Sequence, residues 1–289
     1  MQKNHEIVLL SKKEERMKNV LTSLEEAAKL VKDGALITFG GATFHRAPME
    51  FVRELVRQGK KELNLVDREP AMDFDLLIGA GCVATVRTAM LAFEVFGMAP
   101  NFRKKSESGE IITKEGACQP IISGFRAAAM GLPSLPVKGM LGSDLIEISE
   151  VIGSQKEVED PFTGEKMLAV RAIEPDVAVI HAQKADEYGN VRIEGPFYED
   201  VIKAKAAKTV VVTVEELIPN REVRKMPEAT SIPHFIVDAV VEVPNGAYPC
   251  SCFNYYDVDY DHLKEYLAAA AKDQFQGYLD THVYRRETA

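Results

Sequence analysis

Residues 33–48 read DGALITFGGATFHRAP, a segment in which a short apolar run ends in a pair of glycines. The run 35–39 is typical of a strand that is buried on both faces of a sheet. Asp33-Gly34 in front of it indicates the end of a helix, because glycine is common just past a helix C-cap. Pro48 stands where the next helix can begin. The segment therefore predicts a unit of helix, buried strand, tight turn and helix.

The same alternation recurs along the chain. We expect helices at 15–32, from Pro48 onward, at 73–79 and at 260–272, and strands at 35–39, 62–66, 82–86, 136–140, 176–182, 209–214 and 235–241. Strands that alternate with helices predict a parallel sheet. The fold class expected is α/β, an open, mostly parallel sheet with helices on both faces.

The domain organisation expected is simple, because no Gly/Ser linker, repeat or low-complexity tract interrupts the chain. Residues 1–14 are polar and predict an N-terminal arm, and residues 15–289 predict a single domain. The most polar irregular stretch, 150–167, is expected to form a surface excursion. The turn sequence at 186–190 predicts a small hairpin with 191–193.

Composition and charge restrict the classes of function. The 289 residues are 46% hydrophobic and 27% charged, as in a globular protein, and the formal net charge is −9. That charge argues against nucleic acid and against an anionic membrane surface as a partner. No apolar run approaches ~20 residues and no signal peptide is recognisable, so a cytoplasmic location is expected. The four cysteines lack zinc-ligand spacing, and no metal is expected.

Residues 33–48 resemble the first signature of class I coenzyme A transferases: Asp-Gly, two residues, three aliphatics, Gly-Gly-Phe, three residues, Gly, one residue, Pro. The segment keeps Asp33-Gly34, Ile37, Phe39, Gly40-Gly41 and Pro48, and departs at Thr38, Ala42 and Arg46. An arginine followed one residue later by proline is similar to the glutaconate CoA-transferase branch. Three later segments, 127–137, 176–193 and 237–247, resemble the A-type subunit of that branch in collinear order.

The resemblance implies the CoA-transferase (NagB-like) fold and a specific chemistry. In this family a glutamate attacks an acyl-CoA thioester, forms an acyl-glutamyl anhydride and becomes a glutamyl-CoA thioester. That glutamate lies in a Ser-Glu-Asn-Gly motif of the B-type half. Ser106-Glu107-Ser108-Gly109 is a near miss without the Asn or a preceding buried strand, and we expect it to be a solvated loop. The nucleophile is therefore expected in a partner subunit.

The resemblance also implies a site at the carboxyl ends of the strands, where parallel sheets bind ligands. The candidate oxyanion and substrate-binding residues are Gly40, Gly41, Ala42, Thr43, Arg46, Glu69, Gly142, Ser143, His181 and Gln183. The Gly40–Thr43 backbone and the Thr43 hydroxyl are the first choice as oxyanion donors. Arg46 is a candidate fork for the carboxylate of a dicarboxylate such as glutaconate.

Each candidate has a structural alternative. Thr43 equally fits a plain turn, and Arg46 equally fits a surface residue that caps the next helix. Ser143 fits a helix N-cap. A lone buried histidine such as His181 is more often structural than catalytic. Glu69, just past the second strand, ranks lowest together with Asp67.

The expected partners are a B-type CoA-transferase subunit, in a heterodimer or heterotetramer, and the acyl-CoA and carboxylate substrates. No permanently bound cofactor is expected.

A first alternative to the transferase is a ring-cleaving CoA-thioester hydrolase of the steroid-degradation type, which is similar over the same span. The acidic residue that those hydrolases carry ahead of the Ala-Ala-Ala helix aligns near Cys118 in this chain, with Glu115 close by. A cysteine near that position favours the transferase. A second alternative is a non-catalytic acyl- or sugar-binding relative.

Overall fold

The computed structural model describes residues 18–285, apart from Ile152 and Asp273, and describes only the backbone of residues 149–151. The strands are β1 (Leu36–Phe39), β2 (Leu63–Asp67), β3 (Val83–Thr88), β4 (Ile112–Glu115), β5 (Ser134–Val137), β6 (Gln155–Glu159), β7 (Lys166–Arg171), β8 (Val177–Ala185), β9 (Val191–Arg192), β10 (Thr209–Leu217) and β11 (Ala239–Glu242). The arm predicted for residues 1–14 lies outside the described residues.

Ten α-helices are present in the described part of the chain. They are α1 (Leu24–Ala28), α2 (Met49–Arg57), α3 (Met72–Gly79), α4 (Pro100–Ser108), α5 (Cys118–Ala129), α6 (Leu145–Val151), α7 (Asp200–Ala206), α8 (Asn220–Lys225), α9 (Tyr260–Ala271) and α10 (Phe275–Leu279). A π-helical turn, Asp280–Tyr284, follows α10, and 3-10 turns lie at Glu94–Phe96, Pro227–Ala229 and His234–Ile236. Over this span no helix is both long and apolar enough to cross a membrane.

The main sheet confirms the predicted fold class. Its strand order is β11-β10-β8-β1-β2-β3-β4, every pair along this path is parallel, and β9 forms the predicted hairpin with β8. One face packs on α2 and α3 through residues such as Phe39 and Leu65. The other face packs on α5 through Val66, Ile121 and Phe125. Burial on both faces explains why the central strands are apolar throughout.

The segment predicted as a surface excursion, 150–167, is exposed over most of its described length as expected, but it is not irregular. Residues Gln155–Glu159 and Lys166–Arg171 form an antiparallel hairpin, which joins β5 in a separate three-stranded sheet of order β5-β7-β6. One face of an antiparallel sheet can remain solvated, so its strands are polar at alternate positions and lack a continuous apolar run. Consequently the strand predicted near 136–140 lies at Ser134–Val137, outside the parallel sheet.

Two further predictions were wrong in part. The helix predicted at 15–32 is, among described residues, only α1, because Val240 at the edge of the sheet accepts from the Thr22 amide and donates to Val20 O, and Ser23 caps the helix behind them. The strand predicted at 235–241 begins only at Ala239, because a 3-10 turn occupies His234–Ile236. Long-range pairing overrides local periodicity in the first segment, and a local turn does so in the second.

Candidate functional site

The glycine loop, residues 40–43, follows β1 at the carboxyl edge of the main sheet. All four of its backbone N–H groups donate to oxygens of the same chain: Gly40 to Val179 O (2.8 Å), Gly41 to Asp200 Oδ1 (2.9 Å), Ala42 to His45 O (3.0 Å) and Thr43 to Glu69 O (3.0 Å). No amide of the loop is left to donate to a developing oxyanion in this conformation. In this conformation the backbone amides stabilise the loop itself, and the expected oxyanion role of Gly40–Thr43 stays a prediction.

The two glycines are required by close contacts. A Cβ at Gly40 would lie 2.3 Å from Asp200 Oδ1, and a Cβ at Gly41 would lie 1.9 Å from His45 O. Gly41 also has a φ of +76°, a conformation that L side chains rarely adopt. The Gly-Gly pair thus allows the loop to approach both Asp200 and its own following turn.

Arg46 is not the surface residue that the structural alternative expected. Its side chain is 2% exposed, and it donates from Nη1 to His181 O (3.0 Å) and from Nη2 to Pro196 O (2.7 Å) and to Asp200 Oδ2 (2.9 Å). The Asp200 carboxylate already balances the guanidinium charge, and Arg46 also lines the open cleft beside the loop, so its role as a carboxylate fork stays a prediction. Arg46 joins the glycine loop to the start of α7 through Asp200.

A second buried ion pair lies beneath the loop. The fully buried Lys203 donates to Phe39 O (2.7 Å) and to both carboxylate oxygens of Asp67 (2.8 Å each). Burial raises the pKa of the Asp67 carboxyl, and the Lys203 ammonium opposes that rise. Asp67 therefore fixes the ends of β1 and β2 and is not a pocket residue. Neither Asp200 nor Lys203 was identified from the sequence, and the helix Asp200–Ala206 that carries them was not predicted.

Thr43 and Glu69 are two predicted residues that remain partly accessible. Thr43 is half-buried with a φ of +49°, and its hydroxyl makes no hydrogen bond with any described residue. Glu69 forms an ion pair with Arg68 and accepts a hydrogen bond from the exposed thiol of Cys118 (Sγ–Oε1 3.6 Å). Burial, with the nearby Glu69 carboxylate as the next cause, raises the pKa of Cys118. A functional role for Thr43 and Glu69 stays a prediction.

His181 is buried, and both of its ring nitrogens are occupied. Nδ1 lies 2.8 Å from Thr213 Oγ1, and Nε2 lies 2.8 Å from Glu215 Oε1. Glu215 also accepts hydrogen bonds from the Asn245 amide and the Tyr256 hydroxyl. Burial lowers the pKa of His181, so the neutral ring is favoured. This arrangement matches the structural alternative for His181.

A cluster that the sequence did not reveal surrounds His181. Ligand-type atoms of His181, Glu215 and Cys252 lie within 4.8 Å of one another, although the three residues are far apart in the chain. Burial raises the pKa of the Cys252 thiol to about 12, which favours the thiol over the thiolate that binds metals. We therefore interpret the cluster as a hydrogen-bonded network.

Gln183 is also fully occupied. Its amide nitrogen donates to Glu194 O (3.1 Å) and Phe253 O (3.2 Å), and its Oε1 accepts from the Glu194 amide (2.9 Å). Gln183 thus holds two loops of the carboxyl edge together, and its expected role in substrate binding stays a prediction.

An open cleft of about 640 Å³ lies beside the glycine loop. His45 stacks on Tyr198 at its wall (ring centroids 6.1 Å apart, planes at 16°), and His45 Nδ1 lies 2.7 Å from Ser251 Oγ. Phe253 and Tyr255, which line the cleft, are 57% and 38% exposed. Arg46, a predicted residue, also lines the cleft. The other wall residues named here were not predicted from the sequence, although the aromatic residues at 253, 255 and 256 could have indicated them.

The remaining candidates lie elsewhere. Gly142 is exposed, and Ser143 Oγ accepts from the amide of Leu145, the first residue of α6 (3.1 Å). Neither residue is among those that line the cleft. The near-miss motif at 106–109 is the last turn of α4 and its glycine cap, and not the solvated loop that was expected. Glu107 is exposed there and pairs with Arg103 (2.9 Å).

Comparison with known proteins places this fold and site in a family. The model of the Coenzyme A transferase family matches residues 21–243. An uncharacterized protein of Archaeoglobus fulgidus is 37% identical over 93% of this chain, which spans 61% of that protein's length. The A-type subunit of the glutaconate CoA-transferase of Acidaminococcus fermentans is 39% identical (86% of this chain, 82% of that one). The A-type subunit of the 3-oxoadipate CoA-transferase of Pseudomonas knackmussii is 33% identical (92% and 94%).

Solved structures and a more distant relative extend the comparison. The crystal structure of the Acidaminococcus fermentans glutaconate coenzyme A-transferase superposes with a TM-score of 0.87 at 36% identity (91% of this chain, 88% of that one). A variant of the decarboxylase AibA/AibB gives 0.83 at 35% identity (92% and 98%). The cholesterol ring-cleaving hydrolase IpdA subunit of Rhodococcus jostii is 29% identical (95% and 94%), which does not favour the hydrolase alternative over the transferase. The chain belongs to the coenzyme A transferase family, among the relatives of its A-type subunits.

Proposed function

We propose that this chain is the A-type subunit of a two-subunit enzyme that moves CoA between an acyl-CoA and a carboxylate, a short dicarboxylate such as glutaconate being the first candidate. The observation that carries the proposal is the continuous match to A-type subunits across the glycine loop and the strands that surround it. The loop is held by two buried ion pairs at the carboxyl edge of the sheet, where parallel α/β folds bind ligands.

The carboxylates beside the cleft support a nucleophile from outside this chain. Glu194 is engaged by Lys184 (3.3 Å) and by the Asn254 amide (2.7 Å), and despite partial burial these contacts lower its pKa. Glu69 is engaged by Arg68. The chain has no Ser-Glu-Asn-Gly motif. The exposed aromatic residues of the cleft wall offer a surface on which a B-type partner can bring its glutamate to the site.

The proposed reaction conserves the energy of the thioester. A glutamate oxygen of the B-type partner attacks the thioester carbon, and the CoA thiolate leaves, which gives an acyl-glutamyl anhydride. The thiolate then attacks the glutamyl carbonyl, releases the carboxylate and leaves a glutamyl-CoA thioester. The same steps in reverse load the second acid. In this proposal the A-type chain shapes the pocket, and the Thr43 hydroxyl faces the substrate.

The family acts on CoA thioesters, and the reaction as proposed needs no resident cofactor. The partner subunit, the heterodimer or heterotetramer, and the cytoplasmic location stay predictions. The role of Arg46 as a fork for a substrate carboxylate also stays a prediction, because its guanidinium is already paired with Asp200.

Trapping the covalent intermediate tests the proposal. The chain is co-expressed with its B-type partner, incubated with glutaconyl-CoA or 3-oxoadipyl-CoA, and treated with borohydride, which reduces a glutamyl-CoA thioester to the alcohol. We expect loss of transfer to acetate and a mass change confined to one glutamate peptide of the partner. The Glu107→Gln variant should transfer CoA at the rate of the wild type.

Three outcomes would contradict the proposal. A mass change within this chain would place the nucleophile here. Transfer of the acyl group to water alone, without exchange into acetate, would favour the hydrolase alternative. Release of CO₂ from the acyl-CoA without CoA exchange would favour a decarboxylase.

A further inference from the structure

Two cations stand side by side near the carboxyl edge of the main sheet. Arg87 on β3 and Lys114 on β4 are direct register partners in the parallel ladder, so their side chains project from the same face. Arg87 is also in register with Val66, which packs against α5. The neighbouring acid Glu115 follows Lys114 along the strand, and strand alternation directs it to the other face.

Neither cation has a partner in the part of the chain that the structure describes. Arg87 is half-buried, and its Nε atom is buried without a hydrogen-bond acceptor. Burial lowers the pKa of its guanidinium, and no acid opposes the effect. The buried arginines Arg46 and Arg53, in contrast, each have a carboxylate within 3.0 Å.

An unpaired, half-buried guanidinium costs stability, because a charge removed from water without a counter-charge is unfavourable. Such a group beside a second unpaired cation indicates a position for an anion. The two residues are the penultimate residues of their strands, at the same edge of the sheet as the glycine loop. β1 and β3 are two strand spacings apart, so their ends are separated by about 10 Å across the sheet.

We propose that Arg87 and Lys114 bind an oxyanion of the substrate, and that a phosphate group of the CoA moiety occupies the site. The planar guanidinium fork matches a phosphate or carboxylate, and Lys114 adds a second positive charge. Identifying the anion as CoA rests on the proposed function, whereas the oxyanion site does not. A second source of the same chemistry is the distal carboxylate of a dicarboxylic acyl group.

Ligand binding to the co-expressed pair tests the site without turnover. Calorimetry with CoA, dephospho-CoA, pyrophosphate and glutarate compares the wild type with Arg87→Gln, Lys114→Gln and Arg103→Gln. Arg103 is the matched control, because it is exposed on α4 and already paired with Glu107. We expect Arg87→Gln to weaken CoA binding about tenfold or more, Lys114→Gln to weaken it less, and Arg103→Gln to leave it unchanged.

The unliganded proteins give a second readout. Arg87→Gln removes an unpaired charge, so its melting temperature without ligand should equal or exceed that of the wild type, and a misfolded variant would be recognised by a drop. If Arg87→Gln and Lys114→Gln bind glutarate more weakly than the wild type but bind CoA equally well, the oxyanion site is kept and is assigned to the acyl carboxylate. Unchanged affinity of both variants for all four ligands would overturn the proposal. If the wild-type pair transfers no CoA but binds it, and Arg87→Gln weakens that binding, the proposed function is refuted and the oxyanion site is kept.

Discussion

Asp200 and Gly41 lie 159 positions apart in the sequence, and the Asp200 carboxylate accepts the Gly41 amide hydrogen at 2.9 Å. The other oxygen of the same carboxylate accepts from the Arg46 guanidinium at 2.9 Å. All three residues are buried. One carboxylate at the start of α7 therefore determines how the glycine loop leaves β1.

Replacing this carboxylate tests its role. Asp200→Asn preserves the size of the side chain and removes the charge, which leaves the Arg46 guanidinium buried without a counter-charge. We expect the free energy of unfolding to fall by about 3–5 kcal/mol, as measured by urea denaturation. Asp261→Asn, which disrupts an exposed pair with Lys264, is the control and should be close to neutral. Equal stability of the two variants would contradict the anchoring role.

The glycine loop offers a matched pair of substitutions. Gly41 and Gly34 share a φ of +76°, but a Cβ meets His45 O at Gly41 and nothing within 4 Å at Gly34. Gly34→Ala should therefore cost only the backbone strain, about 1–2 kcal/mol. Gly41→Ala should cost about 1–3 kcal/mol more and abolish CoA transfer by the co-expressed pair. Normal transfer by Gly41→Ala would show that the shape of the loop is not needed for activity.

The buried carboxyl of Asp73 predicts a specific dependence of stability on pH. Burial, with the neighbouring Asp67 as the next cause, raises the pKa of Asp73 to about 6. The unfolded chain ionises this group near pH 4 and the folded chain only near pH 6, so stability falls as the pH rises between these values. Relative to Asp73→Asn, the wild type should lose at most about 3 kcal/mol from pH 4 to pH 7.

Denaturation curves of both proteins across that pH range measure the effect. The Ala71 amide donates to Asp73 Oδ1 (2.9 Å), and the asparagine side chain retains that acceptor, so the comparison isolates the charge. A constant difference between the two proteins from pH 4 to pH 7 would show that Asp73 ionises as readily in the folded state as in the unfolded chain.

The Lys203–Asp67 pair gives a test by double substitution. Lys203→Met leaves the Asp67 carboxylate buried without its cation and should lower the free energy of unfolding by about 3–5 kcal/mol. Adding Asp67→Asn removes the isolated charge and should recover part of that loss. Thermal or urea unfolding of the single and double variants measures the recovery. Asp67→Asn is then compared in the two backgrounds. If it lowers the free energy of unfolding by the same amount in Lys203→Met as in the wild type, the two residues act independently.

Most of the main sheet could be predicted, because central parallel strands such as β8 and β10 are buried on both faces and appear as continuous apolar runs. The hairpin β6–β7 could not, since its outer face is solvated and its strands carry charged residues. The start of α1 could not either, because it depends on pairing between Leu21 and Val240. Those contacts join segments far apart in the chain, and local periodicity does not record them.

The sequence by itself determined the fold class, the position of the glycine loop and the family. It did so because buried strands and glycine turns leave local patterns that a single segment carries. Only the tertiary structure decided which groups the candidate residues contact. Arg46 became half of a buried ion pair, and the loop amides found acceptors as distant as Asp200, because folding brings together charges that the sequence keeps apart. Folding also places Arg87 and Lys114 side by side and unpaired among the described residues, because strand register is fixed only when the sheet assembles.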